Sequence, residues 1–325
     1  MRVAIFNDSP TVRALLRATL HAAGDFDVVV EAEDGRDAVA VCRDSGAELV
    51  LMDVVMPHVD GLTATRSVVA SLHIPVIVVS EVIDVGNPDE LFAAMRAGAV
   101  FVIAPPGGSP SSREARSFVQ VLRNILGEAE APPSPTLPRA LPLTTCALLG
   151  VAASAGGPGA TADFLRVAAV DLPPTVLVQH LADGFAESYA RWLTETSGVA
   201  VRVAAGGEEL QTGVVFIAPS GRHILVAEGR ILLTGEPEDA IFRPSADVLF
   251  GSLPGPGTVA VVLSGMGDDG ARGACALRKA GGRVWVQDEQ SCAVYGMPRA
   301  ARALAGADLE GSPEMLGQRL KGAVS

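Results

Sequence analysis

The sequence predicts two α/β domains, each with a doubly wound parallel sheet, joined by a proline-rich linker. Short apolar runs alternate with helix-length segments in both halves of the chain. A length of 325 residues is enough for two cores of ordinary size. Between the halves lies a proline-rich stretch at residues 131–138. Together these observations favour two separately packed α/β layers.

Composition excludes several classes of protein. The net charge of −12 argues against a surface that tracks nucleic-acid phosphates. The apolar runs are broken by glycine, proline or charge before they reach the length of a bilayer crossing, so we expect no membrane insertion. The N-terminus lacks the apolar core of a secretion signal, and the four cysteines have no metal-ligand spacing. We therefore expect a cytoplasmic protein with reduced thiols.

Five apolar runs in the first 104 residues predict parallel strands covered on both faces. The runs are residues 3–6, 28–30, 49–52, 76–79 and 100–103. Polar side chains follow three of them, at the sheet edge where ligands bind: Asn7, Asp8, Asp53 and Ser80. Clustered carboxylates favour a hard cation such as Mg²⁺, and a carboxylate beside it can accept a phosphoryl group.

Residues 51–61 read Leu-Met-Asp-Val-Val-Met-Pro-His-Val-Asp-Gly, and the segment 1–104 resembles a response-regulator receiver domain, a flavodoxin-like fold. The resemblance implies that Asp53 is the phosphoacceptor, that Ser80 faces the phosphoryl group and that Phe101 is the switching aromatic. The Mg²⁺ ligands that it implies are Asp8, Asp53, the Val55 backbone carbonyl and, weakly, Asn7. A chemotaxis histidine kinase is the implied phosphodonor.

Two positions depart from the receiver pattern. Asn7 stands where the family has a second acid, and Ala104 stands where it has a lysine before the proline; the first lysine of the chain is Lys279. In the receiver family, the lysine at the position of Ala104 couples arrival of the phosphoryl group to a loop shift. Two interpretations stay open: a phosphorylatable switch with an altered site, and a pseudo-receiver that serves for docking or covers the second domain.

Residues 105–143 predict a short helix followed by a linker. Breakers occupy residues 105–110, helical spacing of apolar residues runs over 114–127, and prolines follow at 131–138. The second domain is expected to span residues 144–325.

The second half continues the alternation of strands and helices. Strands are predicted at residues 147–153, 175–179, 214–218, 258–264 and 283–287. Helices are predicted at 160–170, 185–197 and 270–280, and an antiparallel hairpin pairs 224–226 with 231–233.

Candidate catalytic residues follow three of these strands. Ser154 lies in a small-residue turn between a strand and a helix, where a hydroxyl meets helix-terminal amides, so Ser154 is the candidate nucleophile. His180 can act as its base, and Asp269 or Asp268 can fix the tautomer of the imidazole. The alternative is a glycine-rich turn that serves backbone geometry or phosphate binding. The remaining histidines, His21, His58, His73 and His223, lie in less promising contexts.

Five segments make this half similar to the CheB-type protein-glutamate methylesterase family: residues 151–158, 179–180, 216–223, 264–270 and 287–298. With the receiver, the resemblance covers nearly the whole chain. It implies a Rossmann-like catalytic domain in which Ser154 is the nucleophile, His180 the base and Asp269 the orienting acid. The implied oxyanion and turn support comes from Gly156, Gly157 and Met266.

The resemblance also implies the reaction. Members of the family hydrolyse glutamyl methyl esters on methylated chemoreceptors, release methanol, and often deamidate receptor glutamines, with no cofactor in the esterase. Three positions depart from the family: Ala155 replaces a threonine, Ala152 a glycine and Asp268 an asparagine. Loss of the threonine hydroxyl is expected to weaken the ordering of the site.

Two other functions are alternatives for this sequence. A catalytically weak signalling adaptor would use both domains as docking surfaces. A DNA-binding response regulator lacks support, because the second half has no basic recognition helix.

Overall fold

The computed structural model describes residues 1–80, 93–126, 146–181, 184–237, 240 and 242–320. Contacts between Cα atoms divide the chain into two compact units, Met1–Gly127 and Glu128–Ser325. The proline-rich stretch 131–138 of the predicted linker lies outside the described residues. Within the described ranges, every helix falls short of the length and apolarity that a bilayer crossing demands.

The described part of the first unit contains a parallel sheet with strand order β2-β1-β3-β4-β5. Its strands are β1 (Arg2–Phe6), β2 (Asp27–Ala32), β3 (Leu49–Met52), β4 (Val76–Val79) and β5 (Phe101–Ile103). The helices alternating with them are α1 (Pro10–Ala23), α2 (Ala38–Ser45) and α3 (Gly61–Leu72), followed by α4 (Arg113–Leu126). Because β1, β3 and β4 are inner strands buried on both faces, their sequences are continuously apolar rather than alternating. The predicted α/β layer is confirmed.

Local chemistry sets the limits of α1. The Ser9 hydroxyl accepts a hydrogen bond from the Val12 amide at 3.4 Å, which satisfies one of the free N–H groups of the first turn. Pro10 occupies the first turn, where its missing N–H costs nothing. Gly24 ends the helix with a φ of 83°, a left-handed conformation that glycine adopts without strain.

Helix α4 packs with the first unit. Phe118 and Leu122 are buried, and the Arg123 guanidinium bonds the Asp25 carboxylate at 2.7 Å, just beyond the end of α1. The sequence analysis assigned residues 105–143 to a helix and a linker between the two domains, and contacts between Cα atoms group this helix with the first unit, Met1–Gly127. The apolar spacing predicted the helix, but spacing alone does not say which core the apolar face covers.

The described part of the second unit contains a parallel sheet with strand order β14-β13-β12-β6-β7-β9-β8. Its strands are β6 (Leu148–Ala153), β7 (Thr175–Gln179), β8 (Ala200–Val203), β9 (Val214–Ile217), β12 (Thr258–Val262), β13 (Arg283–Gln287) and β14 (Leu309–Gly311). An antiparallel hairpin, β10 (His223–Ala227) with β11 (Arg230–Thr234), packs its buried residues into the core beside the sheet. The helices are α5 (Gly157–Ala168), α6 (Ala186–Ser197), α7 (Ala246–Ser252), α8 (Ala271–Lys279), α9 (Met297–Ala305) and α10 (Pro313–Arg319).

Strand order places a site beside β6. This strand pairs with β7 on one side and with β12 on the other, so the chain changes direction across the sheet at β6. In open parallel sheets the crevice beyond the carboxyl ends of the strands at such a point is where ligands bind. Residues that follow β6, β7 and β12 therefore meet at this crevice.

Candidate active site

Ser154 and His180 lie side by side at the carboxyl ends of β6 and β7. Ala153 pairs with Gln179 in register, and the His180 amide donates to the Ala153 carbonyl at 3.0 Å. Ser154 and His180 therefore take the next positions on strands about 4.8 Å apart. On the other side, the Ser154 amide donates to the Ser264 carbonyl at 3.0 Å, which ties the serine to the loop after β12.

Close approach of chain segments requires glycine around Ser154. Gly156 has a φ of 71°, and a Cβ on it would lie 2.5 Å from the Ala293 Cβ. A Cβ on Gly265 would overlap the Met297 sulfur and would lie 3.0 Å from the Ser154 Cβ. Substitution at either glycine would displace the serine turn.

The carbonyl groups of the serine turn are held, and this orients its amides. The Ser154 carbonyl accepts from the Gln179 side chain at 2.8 Å and from the Gly157 amide at 2.9 Å. The Ala155 carbonyl accepts from the Ser264 hydroxyl at 2.8 Å. Because N–H and C=O of a trans peptide point in opposite directions, the Ala155 and Gly156 amides point away from these partners. Neither amide has a hydrogen-bond partner among the residues that the structure describes.

Gly157 is one of the residues expected to give oxyanion and turn support. Its amide is committed to the Ser154 carbonyl, so Gly157 supports the turn. A Cβ on Gly157 would lie 2.7 Å from the Gln179 amide oxygen, which explains the residue type. The available donors are one and two positions after the serine, at Ala155 and Gly156.

The Asp269 carboxylate bonds the His180 ring. The His180 Nε2 atom lies 2.8 Å from Asp269 Oδ2, and both side chains are largely buried. Asp269 also accepts from the Ser245 hydroxyl at 2.8 Å, the Ala246 amide at 2.7 Å and the Asp247 amide at 3.0 Å. Burial disfavours the charged carboxylate, but the hydrogen bond and electrostatic attraction of His180 and the hydrogen bonds of the Ala246 and Asp247 amides outweigh it and lower the pKa of Asp269. Asp269 is therefore ionised at neutral pH.

This contact distinguishes the two nitrogens of His180. Nε2 donates to Asp269, so the proton of the neutral ring sits on Nε2 and the lone pair on Nδ1. Nδ1 is buried and has no hydrogen-bond partner in the described part of the chain. The Phe242 ring stacks on the imidazole with centroids 4.4 Å apart and planes 9° apart, which fixes the ring plane. Nδ1 is thus the nitrogen that is available to take a proton.

The lowered pKa of Asp269 predicts how stability depends on pH. A carboxyl whose pKa is lower in the folded state stabilises the fold above its unfolded pKa of about 3.9. That contribution disappears as the pH falls through the folded value. We expect Asp269→Asn to unfold at a lower temperature than wild type at pH 7. The difference between the two unfolding temperatures should become steadily smaller below about pH 4. Thermal unfolding followed by circular dichroism measures this difference. A difference in unfolding temperature that stays constant as the pH falls below about 4 would contradict the prediction.

Asp268 and Met266 occupy the same loop as Asp269. Asp268 is exposed, and its backbone carbonyl accepts from the Ala271 amide at 3.1 Å. Of the two acids that the sequence left open, Asp269 is the one that contacts the imidazole. Met266 is partly exposed, and it follows Gly265, which approaches Ser154.

Several residues of this site were not identified from the sequence. Phe242, Ser245 and His223 lie on segments remote in sequence from the three candidates, and only the packing of the chain brings them close. Ser245 carries a local signal, since a serine that precedes a helical pattern is a typical N-cap, and its hydroxyl accepts from the Val248 amide at 3.5 Å. That signal predicts a helix start and gives no information about Asp269.

The predicted receiver residues meet at the carboxyl edge of the first sheet. A cavity of about 330 Å³ is lined by residues that include Asn7, Asp8, Asp53, Val55, Ser80 and Pro105. The Asn7 side-chain amide donates to Asp53 Oδ2 at 2.7 Å and its oxygen accepts from the Ser9 amide at 2.9 Å. Phe101 lies in β5 and Ala104 is exposed just after it.

The residues that line this cavity include two carboxylates, Asp8 and Asp53. Asp8, Asp53 and the Val55 backbone carbonyl supply oxygen donors of the kind that Mg²⁺ takes while keeping several waters. Asn7 adds no charge and directs an N–H at the acceptor carboxylate. Across the described ranges, no group of three or more His, Cys, Asp or Glu side chains is arranged to hold a metal ion.

Comparison with known proteins matches both units. The family model described as CheB methylesterase matches residues 149–320, and the response regulator receiver domain model matches residues 3–110. A protein-glutamate methylesterase/protein-glutamine glutaminase of Anaeromyxobacter dehalogenans is 39% identical and covers 98% of each chain. One of Paramagnetospirillum magneticum is also 39% identical, over 91% of this chain and 88% of its own.

A solved structure agrees with the second unit. The CheB methylesterase catalytic domain of Thermotoga maritima is 30% identical, with a TM-score of 0.51 over 54% of this chain and 97% of that chain.

Proposed function

Because the chain belongs to the CheB methylesterase family, we propose that it hydrolyses glutamyl methyl esters on chemoreceptors through Ser154, His180 and Asp269. The observation that carries the proposal is the hydrogen bond between His180 and Asp269 at the strand end next to that of Ser154, with His180 Nδ1 buried and without a hydrogen-bond partner among the described residues. A serine needs such a base to lose its proton near pH 7, and the base needs an acceptor that fixes its tautomer. Each requirement has a matching group in this site.

The first half of the proposed reaction forms an acyl-enzyme. His180 Nδ1 takes the Ser154 proton as Oγ attacks the ester carbonyl. The Ala155 and Gly156 amides, together with the turn at Met266, donate to the oxyanion of the tetrahedral intermediate. Asp269 stabilises the imidazolium that forms. The imidazolium returns its proton to the departing methoxide, and methanol leaves.

The second half releases the receptor. A water molecule gives a proton to His180 Nδ1 and attacks the acyl carbonyl, and collapse of the second intermediate returns the proton to Ser154. The product is a glutamate side chain. A glutamine side chain enters the same route with ammonia as the leaving group, so we propose deamidation as a second activity.

Labelling of Ser154 separates an enzyme from an adaptor. A fluorophosphonate reacts with a serine only where a base activates the hydroxyl. We expect one covalent adduct on the full chain, mapped to the peptide that contains Ser154, and none in Ser154→Ala. A wild-type protein that stays unlabelled would favour the signalling adaptor.

For the N-terminal unit we propose a receiver that acts mainly through partner binding. The uncharged Asn7 side chain donates a hydrogen bond to Asp53 where a second carboxylate would strengthen the metal site, and Ala104 offers no cation to a phosphoryl group. When bound at Asp8, Asp53 and the Val55 carbonyl, Mg²⁺ would neutralise charge at the acceptor. A chemotaxis histidine kinase remains the proposed phosphodonor, with weak transfer.

Restoring two side chains tests this proposal. We expect wild type to form little acyl phosphate with Mg²⁺ and acetyl phosphate, and the double variant Asn7→Asp with Ala104→Lys to form at least about tenfold more, because both charges act on the phosphoryl group. Intact-protein mass spectrometry measures the adduct, and Asp53→Asn in the double variant should abolish it. Equal phosphorylation of wild type and the double variant would overturn the proposal.

A further inference from the structure

We propose that His223 is a positioning residue for acyl transfer, in addition to the proposed catalytic residues Ser154, His180 and Asp269. It anchors the segment 242–247, which supplies hydrogen bonds to Asp269 and the ring that stacks on His180. The inference rests on the proposed function, because it assigns a role in the same reaction.

The His223 imidazole is fully buried at the start of β10, and both nitrogens face backbone groups. Nδ1 accepts a hydrogen bond from the Ser245 amide at 3.1 Å, and Nε2 lies 3.3 Å from the Pro237 carbonyl. An amide can only donate and a carbonyl can only accept, so these partners select the neutral ring with its proton on Nε2. His223 therefore joins two separate chain segments through one rigid side chain.

The segment that it anchors contacts both ionisable groups of the site. The Ser245 hydroxyl, the Ala246 amide and the Asp247 amide all donate to Asp269, at 2.8, 2.7 and 3.0 Å. Phe242 stacks on His180. Because the Ser245 amide and hydroxyl belong to one residue, fixing the amide at His223 also fixes the direction of the bond to Asp269.

Loss of this anchor has a specific consequence. Without an acceptor at the Nδ1 position, the buried Ser245 amide loses its partner, and the segment must move to satisfy it. Movement of the segment would displace the donors to Asp269 and the Phe242 ring together. A shift of about 1 Å in such a support costs up to about 100-fold in rate. The effect falls on kcat, since these groups contact the catalytic side chains rather than the substrate.

Two substitutions separate the hydrogen bond from the bulk of the ring. In His223→Asn, the side-chain oxygen takes a position close to that of Nδ1 and can accept from the Ser245 amide. His223→Leu keeps similar volume and removes the acceptor. With a peptide that carries a γ-methyl glutamate, we expect His223→Leu to lose about 10- to 100-fold in kcat with KM within about threefold of wild type. We expect His223→Asn to retain at least about a third of the wild-type kcat.

A matched control tests for a merely structural effect. Ile224→Ala removes a fully buried side chain from the next position of the same strand and should lower thermal stability without lowering kcat per folded molecule. The proposal is wrong if His223→Leu, like Ile224→Ala, loses thermal stability but keeps its kcat. It is also wrong if the kcat of His223→Asn is as low as that of His223→Leu. Should His223→Leu not fold, Ser245→Ala carries the test, with a predicted kcat loss of at least about fivefold at unchanged KM; full kcat in that variant would overturn it.

The rate of Ser154 labelling by a fluorophosphonate gives a second readout for the same variants. If wild type is labelled but releases no methanol from the peptide, the proposed substrate is wrong. The order of labelling rates, wild type and His223→Asn above His223→Leu, still decides whether His223 positions the base. Equal rates would contradict that role.

Discussion

Ser154→Ala will reduce methanol release from methylated receptors to background, a fall in kcat on the order of 10⁶-fold if this site depends on its nucleophile as other serine hydrolases do. The expected loss is this large because the Ser154 hydroxyl oxygen forms the covalent bond to the acyl group, and alanine has no group that can replace it. The fold should remain, since the Ser154 hydroxyl makes no hydrogen bond within the described residues and its backbone contacts do not depend on the side chain.

Gas chromatography of released methanol measures the effect, and thermal unfolding reports the fold. Ser312→Ala is a suitable control, because it removes a hydroxyl that caps α10 and accepts from the Met315 amide at 3.3 Å. That variant should lose a little stability and keep its turnover. Undiminished methanol release in Ser154→Ala would mean that another group attacks the ester.

Asp269→Asn will lower kcat by roughly 10³- to 10⁴-fold, the second largest effect that we expect. An asparagine that keeps its oxygen at the Oδ1 position, on the Ser245 hydroxyl and the Asp247 amide, directs N–H at His180 Nε2, and the ring must then place its own proton on Nδ1. Nδ1 is the nitrogen that has to accept the serine proton, so the base is lost while the side-chain volume is kept. The charge that stabilises the imidazolium is lost as well.

Asp268→Asn is the matched control at the neighbouring position. Asp268 is exposed and makes no hydrogen bond to His180 within the described residues. We expect its kcat to stay within about threefold of wild type, as surface substitutions away from packed features have small effects. Equal losses in the two variants would show that the negative charge of the loop, and not the bond to Nε2, is what the reaction needs.

Much of this site was predictable because parallel sheets place functional residues at strand ends. The apolar runs located β6, β7 and β12, and the residues after them, Ser154, His180 and the loop with Asp269, meet in the structure. The residues alone left open the choice between Asp268 and Asp269, and the family resemblance implied Asp269. The hydrogen bond at 2.8 Å to His180 distinguishes them, and this depends on a loop conformation that no local pattern encodes.

The supporting residues were less accessible to sequence analysis. His223 lies at the start of a hairpin. The sequence around it gives no indication of its hydrogen bond with Ser245, which lies 22 residues later. β8 and β14 are short edge strands, and few of their residues are buried, so they lack the apolar runs that predicted the inner strands. Predictions from periodicity identify what is buried in an element but not the segment against which it is buried.

The two glycines that follow Ala155 in the serine turn have different hydrogen bonds. The expectation that Gly157 belongs to the oxyanion support becomes a role in holding the Ser154 carbonyl. The amides at Ala155 and Gly156 remain for the oxyanion. Backbone donors do not depend on the side chain, so the replacement of threonine by Ala155 leaves this donor in place, while Ser264 and Gln179 hold the turn from either side.

The proposed function requires a serine-dependent loss of methyl groups from receptor glutamates. The direct measurement is mass spectrometry of peptides from methylated chemoreceptors before and after incubation with the full chain. We predict that each modified glutamyl site loses the mass of one CH₂ group with wild type and keeps it with Ser154→Ala. Receptor peptides that keep their methyl esters in the presence of correctly folded, fluorophosphonate-reactive wild type would contradict the proposed function.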